Sequence, residues 1–218
     1  MKWLSLFLLL ATTLCAATIK ERLPLLQTDN RIVYDFQQSI TLISVEEANN
    51  EKIVLHVVTG TKDLLDRENL SSWLTWYTQG CPGASSTESI TITLQPCITI
   101  SAEDPQKVSW LLTLLNLPLV PVSTSDRKKA GPQPSVDEPD FRKPWQPPIV
   151  VNGTRIPTPS SAFSTTWPPD DTQLANRTLI LYFPTSDKAV PAFPYWIESP
   201  SSSYHVKVID SSRKTLNN

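Results

Sequence analysis

The chain has 218 residues, with 20 prolines but only 5 glycines, and its 19 basic and 21 acidic side chains leave a formal charge of −2. A near-neutral, slightly acidic chain has no electrostatic footprint for nucleic acid or an anionic membrane. So few glycines leave no room for a glycine-rich phosphate loop, and neither GxxxxGK nor GxGxxG occurs, so no nucleotide or other cofactor is expected.

Residues 1–17 read as a signal peptide. Lys2 supplies a short positive region, Trp3 to Leu14 is mostly apolar, and Cys15-Ala16-Ala17 offers small side chains for cleavage. The run is shorter than the roughly 20 apolar residues that span a bilayer. A lipidated cysteine follows a small residue, whereas Leu14 precedes Cys15, so cleavage after Ala16 or Ala17 is expected over a lipoprotein built on Cys15. The mature chain is then periplasmic or secreted, has no transmembrane segment and carries a charge of −3 once Lys2 is lost. Cleavage leaves Cys81 and Cys97, an even pair bound for an oxidising compartment. They are expected to form a disulfide, which would contribute about 3 kcal/mol in the chain-entropy model. The other reading of Cys81 is a nucleophilic thiol paired with His56, but Cys81 follows Gly80 at a predicted helix C-terminus, where the dipole disfavours a thiolate.

After a polar start broken by Pro24, order should begin at Ile32-Val33-Tyr34. Ser39–Val45 and Ile53–Val58 read as strands of a hairpin, the second apolar enough to be buried on both faces. Leu70, Trp73, Leu74 and Tyr77 share one stripe of a predicted helix, with Asp66 as its cap and Gly80 as its stop. From Ile90 to Ile100 the even positions are aliphatic apart from Pro96, which puts this strand at a sheet edge or splits it into a hairpin. Asp104 caps a second helix, with Pro105 at its first position and Val108, Leu111, Leu112 and Leu115 facing the core. The order β-β-α-β-α describes a small α+β domain over residues 18–121.

Twelve of the 20 prolines fall between Pro118 and Pro169. Residues 122–144, including the basic run Arg127-Lys128-Lys129, read as a flexible or polyproline-like linker. Residues 145–212 read as an antiparallel β-rich module. It opens on a hairpin at Ile149–Ile156, whose Asn152-Gly153 suits a type I′ turn. Three strands follow, Thr178–Phe183, Phe193–Glu198 and Tyr204–Ile209. Such a module has a thin core, so its strands either stand alone or continue the sheet of the first domain. Residues 213–218 read as a frayed tail.

Little in the chain carries chemistry. The two histidines, His56 and His205, both lie in predicted strands, and no CxxC or HxxxH spacing points to a metal. Asp170-Asp171 reads as a solvated turn, because neighbouring carboxylates on a strand face opposite ways. Alternation along Phe193-Pro194-Tyr195-Trp196 puts Phe193, Tyr195 and Ile197 on one face, with Trp196 beside Glu198 on the other. Tyr195 and Trp196 are the candidate interface residues.

Arg177–Phe183 (RTLILYF), Phe193–Glu198 (FPYWIE) and the preceding Trp167-Pro168-Pro169-Asp170-Asp171 resemble uncharacterised exported proteins of chlamydia-type intracellular bacteria. The resemblance implies a Gram-negative exported protein and carries over no activity or site. The sequence therefore describes a non-enzymatic envelope or protein-binding protein, its partner another protein of the envelope or of a host. Two other readings stand beside it: a secreted hydrolase with a site built from scattered acids and His56, and an effector released into a host cell. Mass spectrometry of the native protein is expected to find an N-terminus after Ala16 or Ala17. An intact Met1 would refute export by cleavage.

Overall fold

A computed structural model describes residues 17–63, 73–156, 159–185 and 189–212. The signal segment through Ala16, the expected helix positions Asp66 and Leu70, and the tail from 213 lie outside them. Strand β1 (Arg31–Asp35) pairs with β2 (Ser39–Ala48), β2 with β3 (Lys52–Thr61), β3 with β4 (Ser86–Thr93), and β4 with β5 (Thr99–Ala102), all antiparallel. The question left open by Pro96 is settled: β4 ends at Thr93 and the chain turns into β5, so Ile92 faces Ile100. On β3 the expected burial on both faces holds towards one end: Ile53, Leu55 and Val57 are buried on one face, while on the other Val58 is buried and Val54 and His56 are half-buried.

β1 has a second neighbour. β12 (His205–Ser212) runs antiparallel along its whole length, from Arg31 opposite Ser212 to Asp35 opposite Lys207. Next come β11 (Trp196–Glu198), β10 (Thr178–Pro184), β9 (Ser160–Thr166) and the short β6 (Val120–Pro121). Ten antiparallel strands thus form one sheet, to which the few helices add to make an α+β fold. The C-terminal strands continue the N-terminal sheet, the second of the two arrangements allowed by the thin core. β9 was hidden in the sequence, because SSAFSTT has one large apolar side chain in seven residues.

One face of this sheet is covered by α2 (Ser109–Asn116) and the 3-10 turn Ile19–Leu25. Leu111, Leu114 and Leu115 of α2 join Ile19 and Leu23 in a single buried cluster with Tyr34, Leu55 and Ile90 of the first half and Leu181, Ile197 and Val206 of the second. Each fully buried aliphatic side chain contributes roughly 1.5–3 kcal/mol, so this shared core holds the two halves together. α2 starts later than expected. Asp104 caps a turn instead, its carboxylate accepting the Gln106 amide at 3.1 Å, and the helix proper begins at Ser109. On the other face α1 (Trp73–Thr78) lays Trp76 over Val33, Leu42 and Val58. Gly80, at φ +79°, ends α1, and the Cys81 amide reaches back to the Trp76 carbonyl at 2.9 Å.

The predicted Asn-Gly hairpin is present as β7 (Ile149–Val151) and β8 (Thr154–Ile156), with positive φ at both Asn152 and Gly153. Its turn lies beside buried Asp210 of β12, whose carboxylate accepts the Ser211 amide at 2.8 Å; burial pushes that carboxyl above its ordinary value, against the pull of the Ser211, Gly153 and Asn152 amides and the Trp73 indole.

Asp35, at the end of β1, sits where the two halves meet. Its side chain is 8% exposed and lies 3.1 Å from Lys62 and 3.5 Å from Lys207 of β12. Burial pushes its carboxyl up, but the Lys62 hydrogen bond, the Gln37 amide and the two ammonium charges outweigh it and hold the pKa below the ordinary range. Because the folded-state pKa is lowered, this stabilisation is present above about pH 3.9 and is lost as the pH falls through the folded value. Asp35→Asn is expected to cost about 1–3 kcal/mol at neutral pH and to flatten the acid limb of stability against pH. Chemical denaturation from pH 2 to 7 checks both.

Candidate functional site

Alternation along β10, β11 and β12 sends Leu181, Ile197 and Val206 into the core and their neighbours to the opposite face. Register then builds two cross-strand rows on that face. Tyr182, Trp196 and Lys207 form one, and Ile180, Glu198 and His205 the other. The chain around Val122 and Asp126–Lys128, together with Trp145, stands over these rows and closes a cavity of about 500 Å³, within the range of small-molecule sites.

The wall over the rows comes from the proline-rich stretch expected to be a loose linker. Its base is tied. The Trp145 amide donates to the Lys128 carbonyl at 2.6 Å and the Ala130 amide to the Lys143 carbonyl at 2.9 Å. Further out, Asp140 accepts from Lys129 at 2.8 Å and from Arg142 at 2.9 Å, and these cations hold its carboxyl well below the usual range. Arg127 donates to the Ser160 carbonyl at 2.9 Å, and the Val122 amide to the Ala162 carbonyl at 2.9 Å, which fastens the segment along β9. Ordering backbone costs roughly 1–2 kcal/mol per residue, and these anchors are local contacts that a composition-based reading cannot register.

Inside the cavity three aromatic rings meet almost at right angles. Trp145 lies 5.6 Å from Tyr182 with planes at 90° and 5.5 Å from Trp196 at 75°, the edge-to-face arrangement that ring quadrupoles favour. Lys128 places its ammonium 5.1 Å from the Trp145 ring centre, and His205 stacks flat on Trp196 at 4.9 Å. Glu198 binds the group together by accepting the Tyr182 hydroxyl at 3.0 Å on one oxygen and the Trp196 indole N–H at 3.2 Å on the other. Burial, and then the adjacent Glu198 charge, push the Tyr182 phenol well above its ordinary value.

Of the residues singled out in the sequence, Trp196, His205 and the Arg127-Lys128 part of the basic run meet at this cavity, whereas Tyr195, His56 and Asp170 do not. Tyr195 is 2% exposed and its hydroxyl donates to the Pro147 carbonyl at 3.3 Å, so it is a core residue and not a surface anchor. His56 lies on β3, 3.7 Å from Glu46 and away from the cavity. Asp170 is committed to structure. It accepts the indole N–H of buried Trp167 at 2.6 Å and both donors of Thr172, which together hold its carboxyl below its ordinary value.

The expected disulfide is not formed, and both thiols are free. Cys81 precedes β4 and packs beside the Trp76 cluster, while Cys97 follows the far end of the same strand in the turn to β5. Eight strand residues span about 25 Å, against the roughly 7 Å limit between bridged Cα atoms. Burial pushes the Cys81 thiol up, away from the thiolate a nucleophile needs. Among the described residues no three His, Cys, Asp or Glu side chains gather as a metal would require, and no helix is long and apolar enough to cross a membrane.

The family model described as CT021 protein matches residues 41–157, more than half of the chain. The chain belongs to the CT021 family. The fold is similar to that of the hypothetical protein CT021 from Chlamydia trachomatis, with a TM-score of 0.58 at 18% identity, covering 93% of this chain and 96% of that one. At that identity the likeness concerns the fold. No curated protein matches. The chlamydial resemblance rested on residues 167–198, so the family match supports it from a separate part of the chain. Glu198 and Tyr182 were not singled out in the sequence. The available signal was their spacing, since both fall on the Trp196 face of neighbouring strands.

Glu198→Ala would leave the buried Tyr182 hydroxyl and the Trp196 indole N–H without their shared acceptor, at a cost of about 1–3 kcal/mol each where burial is complete. A fall in Tm with changed Trp196 fluorescence is expected, and a smaller fall for Glu198→Gln, whose amide oxygen still accepts one of the two donors.

Proposed function

We propose that this CT021-family chain is an exported, non-enzymatic binding protein, and that its ligand is taken up in the aromatic cavity between the β10–β12 face and the proline-rich segment. The observation that carries the reading is Glu198. Two neutral donors fix its carboxylate as an oriented acceptor and lock Tyr182 and Trp196 in place, which is preorganisation for binding. The half-buried Trp196 is the kind of aromatic anchor that dominates recognition energetics. Export rests on the order Lys2, apolar run and Cys15-Ala16-Ala17 in the sequence, and an envelope or host partner rests in turn on export.

The hydrolase reading, built on scattered acids and His56, has less support, because His56 lies beside Glu46 on β3 and does not line the cavity. The tryptophan fluorescence of the mature protein should respond to a fraction of bacterial-envelope or host-cell extract, separated into protein, glycan and small-molecule pools. The response is expected to disappear in Trp196→Ala. If no pool perturbs the wild-type protein, the cavity is not a binding site.

A further inference from the structure

The cavity offers four kinds of contact at once. It has two aromatic walls, Trp145 and Trp196, with buried Tyr182 packed edge-on behind Trp145. It has a carboxylate, Glu198, each of whose oxygens has one donor already in place. A carboxylate has about four acceptor positions, so each oxygen keeps one for a ligand. It has the cations Arg127 and Lys128 on the facing wall, balanced in formal charge by Asp126 and Glu198. And it has rim hydroxyls, Ser202 and Ser203, on the turn from β11 to β12.

These contacts exclude three ligand classes in turn. A polyproline peptide is read through free indole N–H and phenol O–H donors in an aromatic groove, and here both donate to Glu198. A cationic ligand suits an aromatic box, but Lys128 of the chain itself lies over Trp145, with Arg127 beside it. An anion would meet Glu198 and Asp126. What fits is a neutral molecule with an apolar C–H face for the rings, hydroxyl donors for the paired Glu198 oxygens and oxygen acceptors for Arg127 and Lys128. That combination defines a sugar ring.

We propose that the cavity between Trp145, Trp196 and Glu198 is a saccharide-binding site, with a sugar ring lying against the sides of Trp145 and Trp196 that Lys128 and His205 leave uncovered and neighbouring hydroxyls shared between the two oxygens of Glu198. This deepens the binding reading given above and rests on it. The volume of about 500 Å³ admits more than one sugar ring, so the ligand is a short glycan or the end of a longer one. The proline-rich segment holds two of the contacts, Lys128 and Trp145, on either side of one backbone hydrogen bond. It therefore grips the ligand from above the sheet.

The test uses the full mature chain on an array of neutral, amino and acidic oligosaccharides, followed by calorimetric titration of the strongest hit. Trp196→Ala and Glu198→Gln should each weaken binding about tenfold or more. Trp196→Phe should weaken it less than Trp196→Ala, and Phe141→Ser, an exposed aromatic on the proline-rich segment outside the cavity, should leave it unchanged. Melting curves confirm that each variant is folded. Binding that survives both Trp196→Ala and Glu198→Gln places the saccharide elsewhere and overturns the proposal. If the array is silent while an extract pool still perturbs Trp196, the ligand class is wrong and the binding reading stands. Silence in both experiments removes both.

Discussion

The antiparallel pairing of β1 with β12 is the contact on which the other features of this molecule depend. β1 has five residues, buried apart from half-buried Arg31, and its two edges face strands from opposite ends of the chain. Without that seam the first five strands would end on an unpaired edge, and the strands from β9 to β12 would rest on a short hairpin. With it, Ile32 and Tyr34 enter a cluster that also holds Leu181, Ile197 and Val206. Tyr34 adds a specific tie, its buried hydroxyl donating to the Pro194 carbonyl at 2.7 Å across 160 residues of sequence. Outside the core, Lys207 of β12 approaches Asp35 of β1 at 3.5 Å.

The cavity follows from the same seam. β12 places His205 and Lys207 in register with Glu198 and Trp196 of β11, and β10 adds Ile180 and Tyr182. Only a strand fixed on its other edge can hold such a row steady, and β1 supplies that edge for β12. The remaining wall is the proline-rich segment, which has few apolar side chains to bury and is held by hydrogen bonds at its base. Proline suits this role, since its fixed φ lowers the entropy lost when an irregular segment is ordered. The segment is thus part of the site and also the stretch that separates the two halves in sequence.

Much of the local structure was legible before any coordinates. The strand at Ser39–Val45, the two-residue period from Ile90, the Asn152-Gly153 turn and the three C-terminal strands all appear close to where their patterns put them. Alternation also placed Trp196 and Glu198 together, on the face opposite Tyr195. The misses have identifiable causes. β9 is built of Ser and Thr, whose hydroxyls carry no hydrophobic period. Asp104 caps a turn rather than α2 because the same carboxylate geometry serves both. The Cys81–Cys97 pairing was counted from composition, and counting ignores that a strand stands between the two thiols.

By itself, the sequence determined the strands, the turns and which side chains share a face, because these follow from φ/ψ preferences and from periods of two and 3.6 residues that act over a few neighbours. Membership of one sheet was decided only by the tertiary structure. Pairing β1 with β12 closes a loop of more than 160 residues, and loop-closure entropy grows so slowly with length that local pattern cannot say which distant edge a strand will choose. The site belongs to the same class of facts. Trp145, Tyr182 and the Trp196–Glu198 pair come from three separate stretches of the chain, and nothing in any one of them states that the three will meet.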